Sequence, residues 1–182
     1  LTPWPGLILI ALAALLIYSN IYHNPFVFDD INIIRDNDVI RDLSWHLQPE
    51  NFFFRRGFAE LTFALNYQWG KLDVAGYHLV NLVIHVINGW VVYFLALLLL
   101  QQLAAPDKSP VEEQTVQSRS AKRGKSRKRE TSSGYGRVFS SPSTTRLAAL
   151  AAALIFTCHP LQTQAVTYTV QRYAALAALF YM

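Results

Sequence analysis

The run from Tyr77 to Leu100 constrains this chain most, because none of its 24 residues is formally charged at neutral pH. At ~1.5 Å of rise per residue, a helix of that length spans ~36 Å, enough to cross the hydrocarbon core of a bilayer. The whole chain is 52% hydrophobic and 15% charged, whereas soluble domains carry roughly 25% charged residues. These features predict an integral membrane protein.

Three more apolar runs accompany this one. The first, residues 6–22, contains 17 uncharged residues with Trp4 before it and Tyr18 near its end, as in the aromatic belts of membrane interfaces. A cleaved signal peptide is the alternative interpretation of that run. The last run is interrupted only by Arg172. The sequence therefore predicts an all-α membrane protein, a multi-pass helical bundle with helices at residues 6–22, 77–100, 147–161 and 164–182.

The two long loops differ in charge. Residues 23–76 contain five Lys/Arg and eight Asp/Glu, a net charge of −3, whereas residues 101–146 contain ten and four, a net charge of +6. An excess of Lys and Arg marks the cytoplasmic side of a membrane protein. We therefore expect residues 23–76 to be extracytoplasmic and both termini to be cytoplasmic, in the cell (inner) membrane.

The basic loop, residues 101–146, separates the first two predicted membrane helices (within residues 1–100) from the last two (within residues 147–182). Six of the eight residues from Lys122 to Arg129 are basic. Such a composition predicts a disordered cytoplasmic linker held near anionic lipid. A nucleic-acid patch is the alternative, but no aromatic residue interleaves these charges to stack on bases. We therefore expect membrane lipid as a partner and no nucleic acid.

The outer loop opens with an adjacent acid pair, Asp29 and Asp30, a few residues after the first membrane helix. Two neighbouring carboxylates repel, which raises one pKa and suits a general base. The alternative is a turn or a helix cap. Charge balance predicts a cation near the pair that would also contact the phosphate of a substrate, and the candidates are Arg55, Arg56, His159 and Arg172.

Residues 51–69 follow in the same loop, with Phe or Leu at positions 54, 58, 61 and 65. This helical period predicts an amphipathic helix lying in the outer interface. Arg55 and Arg56 stand at its start, where they could bind a phosphate bidentately. The alternative is that both side chains reach lipid head groups.

A polar stripe runs along the second membrane helix, formed by His78, Asn81, His85 and Asn88. At 100° per residue these side chains fall within about 80° of one another. A polar face on a membrane helix must turn toward protein or water. His78 and His85 are therefore candidates to line a substrate cavity, and interhelical hydrogen bonding is the alternative. Two histidines seven residues apart do not easily share an ion, so no metal site is predicted from them.

Four segments carry a family resemblance, in the order FDDINII, LTFALNYQWG, GYHLVNLVIHVIN and HPLQTQAVTYTVQR. They resemble the N-terminal membrane region of the transmembrane and tetratricopeptide-repeat-containing proteins. More broadly, they are similar to the C-type, polyprenyl-phosphate-dependent glycosyltransferases, which include protein O-mannosyltransferases. The resemblance covers about residues 5–100 and 147–182, and the basic loop looks like a local insertion.

The resemblance implies an extracytoplasmic active site, a polyprenyl-phosphate-linked sugar as donor, and a protein or glycan hydroxyl as acceptor. It also implies an outer-loop acid as base, which is Asp29 or Asp30 here, with Asp29 as the first choice. An inverting transfer needs a carboxylate to take the hydroxyl proton, and the leaving phosphate needs positive charge nearby. Arg55, Arg56 and Arg172 are the candidates for that charge. The resemblance is compatible with a divalent metal bound beside Asp29.

The chain also departs from the family. Relatives tend to carry Arg-Pro where this chain has Arg55-Arg56-Gly57, and often Glu where it has Gln164. It begins at Leu1 and has neither the later membrane helices nor the tetratricopeptide repeats. We therefore expect an N-terminal fragment that is inactive alone. The alternative to an enzyme is a non-catalytic membrane anchor or scaffold, and a transporter fits the ordered acidic loop less well.

Overall fold

The computed structural model describes residues 2–53, 56–104 and 141–182. Arg55 and residues 105–140, which form most of the basic loop with its predicted disorder, lie outside these ranges. Within them the chain forms helices and no strand, which confirms the all-α prediction for this part of the chain. The α-helices are α1 Trp4–Ile17, α2 Leu43–His46, α3 Pro49–Phe52, α4 Gly57–Gly70, α5 Val74–Ala104, α6 Pro142–Cys158, α7 Gln162–Thr167 and α8 Arg172–Tyr181.

Helix α5 is the centre of the bundle, and α1, α6 and α8 all pack against it. The indole N–H of Trp90 donates to the backbone oxygen of Leu7 at 3.0 Å. At the other end of α1, the Tyr18 ring meets the His85 ring edge to face. Because Leu7 near the start of α1 contacts Trp90, whereas Tyr18 directly after α1 contacts the earlier residue His85, these two helices are antiparallel.

Helix α6 packs against α1 and α5 around Gly89. A Cβ at this position would lie 2.6 Å from Thr157 Oγ1 and 3.0 Å from Ile10 Cγ2. The close approach of three helices therefore requires glycine. Farther along, Ala149 shares an apolar cluster with Tyr93, so α6 also runs antiparallel to α5.

Helix α8 runs in the same direction as α5. Arg172, its first residue, bonds to Asn81, and the oxygen of Ala175 accepts from Asn88 Nδ2 at 3.0 Å. The four long helical segments therefore alternate in direction along the chain. This alternation gathers residues 18–73, which we call the outer segment, at the same end of the bundle as the turn between α6 and α7.

Among the described helices, α5 alone is long and apolar enough to cross a membrane by itself. Within the described part of the chain, 33% of its most apolar stretch is buried. Helices α1 and α6 are apolar but shorter. The structure confirms the helix predicted at residues 77–100, whereas the first helix ends at Ile17 and not at Tyr22. A multi-pass arrangement stays a prediction.

The single helix predicted at residues 164–182 is wrong. Helix α7 ends at Thr167, Tyr168 is extended with φ −91° and ψ 106°, and α8 begins only at Arg172. A 3₁₀ turn, Thr169–Gln171, lies between them. The physical reason is local, because β-branched side chains lose rotamer freedom in a helix, and four of five successive residues here are Val or Thr. They are Val166, Thr167, Thr169 and Val170.

The amphipathic helix predicted at residues 51–69 is divided into α3 and α4. The two helices approach each other closely at the division, because a Cβ on Gly57 would clash with the backbone oxygen of Asn51. The buried face of α4 includes Phe63, which packs with Ile34 and Tyr77 in the core of the outer segment. The interfacial position of this helix stays a prediction.

Candidate functional site

The two adjacent carboxylates of the outer segment have different environments. Asp29 is exposed and lines a cavity, whereas Asp30 is completely buried, with 0% of its surface accessible. The residue before them, Phe28, has a positive φ of 48°. This backbone turn separates the directions of the two acids, so only Asp29 faces the cavity.

Backbone N–H groups hold the buried carboxylate of Asp30. Its Oδ1 accepts from the N–H of Val170 at 2.7 Å, and its Oδ2 accepts from the N–H of Val27 at 3.3 Å. Burial raises the pKa of Asp30 above its ordinary value, and these two N–H groups oppose that rise. We expected a cation beside the acid pair; the hydrogen bonds to the carboxylate of Asp30 come from backbone N–H groups, and a cation within reach of Asp29 stays a prediction.

The break between α7 and α8 provides the donor. In a continuous helix the N–H of Val170 would bond to the carbonyl four residues earlier. Here the chain leaves the helix at Tyr168, and this N–H bonds to Asp30, 140 residues away in sequence. The hydroxyl of Tyr168 accepts from the backbone N–H of Asp29 at 3.2 Å. The break therefore contacts both acids.

A cavity of about 940 Å³ opens beside Asp29. Its charged side chains are Asp29 and Arg56, with Gln171 and Tyr173 as further polar groups. The rest of its wall is apolar and comes from the outer segment and from α8: Ile33, Phe52, Phe53, Phe58, Ala59, Val170, Ala174, Leu176, Ala177 and Phe180. One carboxylate and one cation in an apolar cleft make a site suited to a ligand that has both polar and apolar parts.

Arg56 is fixed at the wall by an aromatic ring. Its guanidinium carbon lies 4.7 Å from the centroid of the Tyr173 ring, a distance typical of a cation–π contact. Among the described residues, the ion pairs within 4.0 Å join Arg35 to Asp36 and Arg41 to Asp38. The positive charge of Arg56 is thus available to an anion in the cavity.

Arg172, predicted to bind substrate, is buried inside the bundle with 0% of its surface accessible. Its Nε donates to Asn81 Oδ1 and its Nη1 to Asn66 Oδ1, both at 2.7 Å. Its Nη2 donates to the oxygen of Tyr77 at 3.0 Å, and its guanidinium lies 4.4 Å from the Phe63 ring centroid. These contacts join α4, α5 and α8, and Arg172 does not line the cavity.

The polar stripe of α5 faces other parts of the protein, as predicted. All four of its side chains are buried, and each bonds to a backbone oxygen of another segment. The acceptors are Asn24 for His78, Thr169 for Asn81, Thr157 for His85 and Ala175 for Asn88, at 2.9 to 3.2 Å. The interhelical alternative therefore describes these contacts, and neither histidine lines the cavity.

The remaining predicted site residues lie elsewhere. His159 is exposed in the turn after α6, where its Nδ1 accepts from the N–H of Leu161 at 3.2 Å. Within the described ranges no three His, Cys, Asp or Glu side chains come together to hold a metal. Asp30 uses both carboxylate oxygens on backbone N–H groups, and a divalent metal beside Asp29 stays a prediction.

Sequence reasoning missed Tyr168, Val170 and Tyr173 as parts of the site. The first two lie in the break that was predicted as helix, and the third contacts Arg56 from a helix far away in sequence. The four β-branched residues among positions 166–170 are the one signal that could have indicated the break.

The chain is similar to a protein O-mannosyl-transferase, Tmtc3, from Drosophila melanogaster, with 29% identity over 189 aligned residues. The alignment covers 95% of this chain but only 18% of that relative. No family model matches the chain, and no solved structure matches it. The similarity supports a distant relationship to a glycosyltransferase.

Proposed function

We propose that this chain is the N-terminal membrane part of a glycosyltransferase that moves a sugar from a polyprenyl-phosphate donor to a hydroxyl acceptor. The observation that carries the proposal is the cavity in which Asp29 and Arg56 share an otherwise largely apolar wall. The activity named for the Drosophila relative supports a protein hydroxyl as the acceptor.

In the proposed reaction, Asp29 is the general base. Its carboxylate takes the proton of the acceptor hydroxyl as that oxygen attacks C1 of the sugar. The bond between C1 and the phosphate oxygen breaks, and its electron pair leaves with the lipid phosphate, so the configuration at C1 inverts. Arg56 stabilises the negative charge that develops on the phosphate.

The apolar part of the cavity suits the polyprenyl chain. Phe53 and Phe180 are 83% and 70% exposed, and both line the cavity together with Phe58. Exposed aromatic side chains at one site are expected to contact apolar ligand or lipid. The donor would thus place its chain against these rings and its phosphate near Arg56.

The proposal includes four membrane passes, formed by α1, α5, α6 and residues 162–181, with both termini in the cytoplasm. Charge asymmetry between the loops and the alternating directions of the helices support it. Replacing the native Cys158 by Ser allows single cysteines to report sidedness. A cysteine at Ser44 should label from outside sealed cells and one at Ser126 should not. Labelling of the Ser126 position from outside would contradict this orientation.

The transfer assay uses the complete gene product that contains these 182 residues, with lipid-linked sugars as donors. Asp29→Asn should lower kcat by about 10²–10⁴, the usual contribution of a general base. Arg56→Gln should lower kcat/KM for the donor by about 10-fold or more, because a hydrogen bond to the charged phosphate that strengthens in the transition state is lost. Asp36→Asn and Arg41→Gln are matched controls in the same segment. Undiminished transfer by Asp29→Asn would refute the proposal.

The second candidate is a non-catalytic membrane scaffold. It is favoured by the buried positions of His78, His85 and Arg172, whose hydrogen bonds all hold the bundle together. In a scaffold, Asp29→Asn would leave the function of the complete protein intact, whereas Arg172→Met would reduce it through loss of stability. In the glycosyltransferase Arg172→Met would also reduce function through loss of stability, so Asp29→Asn is the variant that distinguishes the two candidates.

A further inference from the structure

The backbone at Phe28 is strained without an evident gain for folding. Its φ of 48° lies in the left-handed region, which is unfavourable for a side chain with a Cβ. Its ring is 81% exposed, so burial of this ring does not offset the strain. Such conformations persist where surrounding contacts impose them, and they cluster at functional sites. The strained residue directly precedes Asp29.

Asp30 imposes the turn from one side. Its Oδ2 accepts from the N–H of Val27 at 3.3 Å, and the backbone N–H of Asp30 donates to the oxygen of Val27 at 3.0 Å. These two bonds close the turn formed by residues 27–30. The second carboxylate oxygen, Oδ1, attaches the turn to the N–H of Val170 at 2.7 Å.

Tyr168 holds the turn from the opposite side. Its hydroxyl accepts from the backbone N–H of Asp29 at 3.2 Å. Its ring meets the ring of Phe28 edge to face, with centroids 6.3 Å apart. Three successive residues of the turn, from Phe28 to Asp30, are therefore each contacted by Tyr168 or Val170.

We propose that Asp30 and Tyr168 are positioning residues that orient the carboxylate of Asp29 toward the cavity. They do so through a latch, which we define as the hydrogen bonds from Val170 to Asp30 and from Asp29 to Tyr168. The inference rests on the proposed function for what Asp29 does there. Asp30 is not a second base, because both of its oxygens already accept N–H groups inside the protein.

Tyr168→Phe is the most direct test, because it removes one hydroxyl and keeps the ring on Phe28. In the complete protein we expect kcat for transfer to fall by about 2- to 10-fold, the equivalent of one hydrogen bond, with an unchanged KM for the donor. Amide hydrogen exchange at Asp29 should become faster, and the melting temperature should fall by no more than about 2–4 °C. Tyr181→Phe is the matched control, because Tyr181 is 93% exposed and outside the cavity wall.

Asp30→Asn provides the second test. The amide keeps the shape of the side chain but has one acceptor oxygen in place of two, so exchange should become faster at Val27 or Val170 and kcat should fall. If this variant does not fold, Tyr168→Phe decides. Unchanged kcat together with unchanged exchange at Asp29 in Tyr168→Phe would overturn the latch. Full transfer by Asp29→Asn would instead overturn the proposed function, and the exchange data would still test the latch.

Discussion

Replacing Arg172 by Met tests how a charge without a carboxylate partner stabilises this bundle. Within the described part of the chain, no acid lies within 4.0 Å of the Arg172 side chain. The guanidinium is instead surrounded by the amide oxygens of Asn66 and Asn81 and by the face of the Phe63 ring. We expect Arg172→Met to destabilise the protein, because both amide oxygens lose their donor.

The size of the effect follows from these contacts. A buried acceptor that loses its partner costs about 1–3 kcal/mol, so two of them cost about 2–6 kcal/mol. Removing a buried charge acts in the opposite direction, because its desolvation is also unfavourable. We therefore expect a loss of about 3 kcal/mol in the free energy of unfolding, in the lower half of that range.

Reversible unfolding in detergent micelles, followed by far-UV circular dichroism, measures this difference. The matched control is Arg41→Met, because Arg41 forms an exposed ion pair with Asp38, and exposed pairs contribute about 0–1 kcal/mol. The double variant Arg172→Met/Asn66→Leu should be more stable than Arg172→Met, because removing both partners costs less than leaving one unpaired. An Arg172→Met protein as stable as the wild type would refute the reasoning.

Three further variants test the packing and the buried acid. Gly57→Ala should destabilise by about 1–3 kcal/mol, because its Cβ would meet the backbone oxygen of Asn51, whereas Gly70→Ala should be nearly neutral in the same melting assay. Gly89→Ala should lower the melting temperature, and adding Thr157→Ala should restore part of it by removing the hydroxyl at 2.6 Å. The raised pKa of Asp30 means that the folded state holds this proton more tightly, so stability should fall as pH rises through the range above 3.8. Asp30→Asn should flatten that slope, and an unchanged slope would contradict the assignment.

The sequence determined the central helix and the face that it buries. The run of 24 uncharged residues predicts a long helix, because in a membrane a helix satisfies all of its backbone hydrogen bonds within the same segment. The spacing of His78, Asn81, His85 and Asn88 places them on one face by geometry alone, and the structure buries all four. Local periodicity was sufficient because backbone hydrogen bonding within a helix does not depend on distant residues.

Only the tertiary structure decided what these groups contact and where the cavity lies. The spacing did not distinguish a substrate-binding stripe from an interhelical one, because the acceptors of its hydrogen bonds lie 54 to 88 residues away. The two acids are adjacent and identical in sequence, yet Asp30 is buried against Val170 and Asp29 faces the cavity. That difference depends on the N–H of Val170, which the break between α7 and α8 makes available to Asp30, 140 residues away in sequence. The residues around the two acids carry no information about this donor.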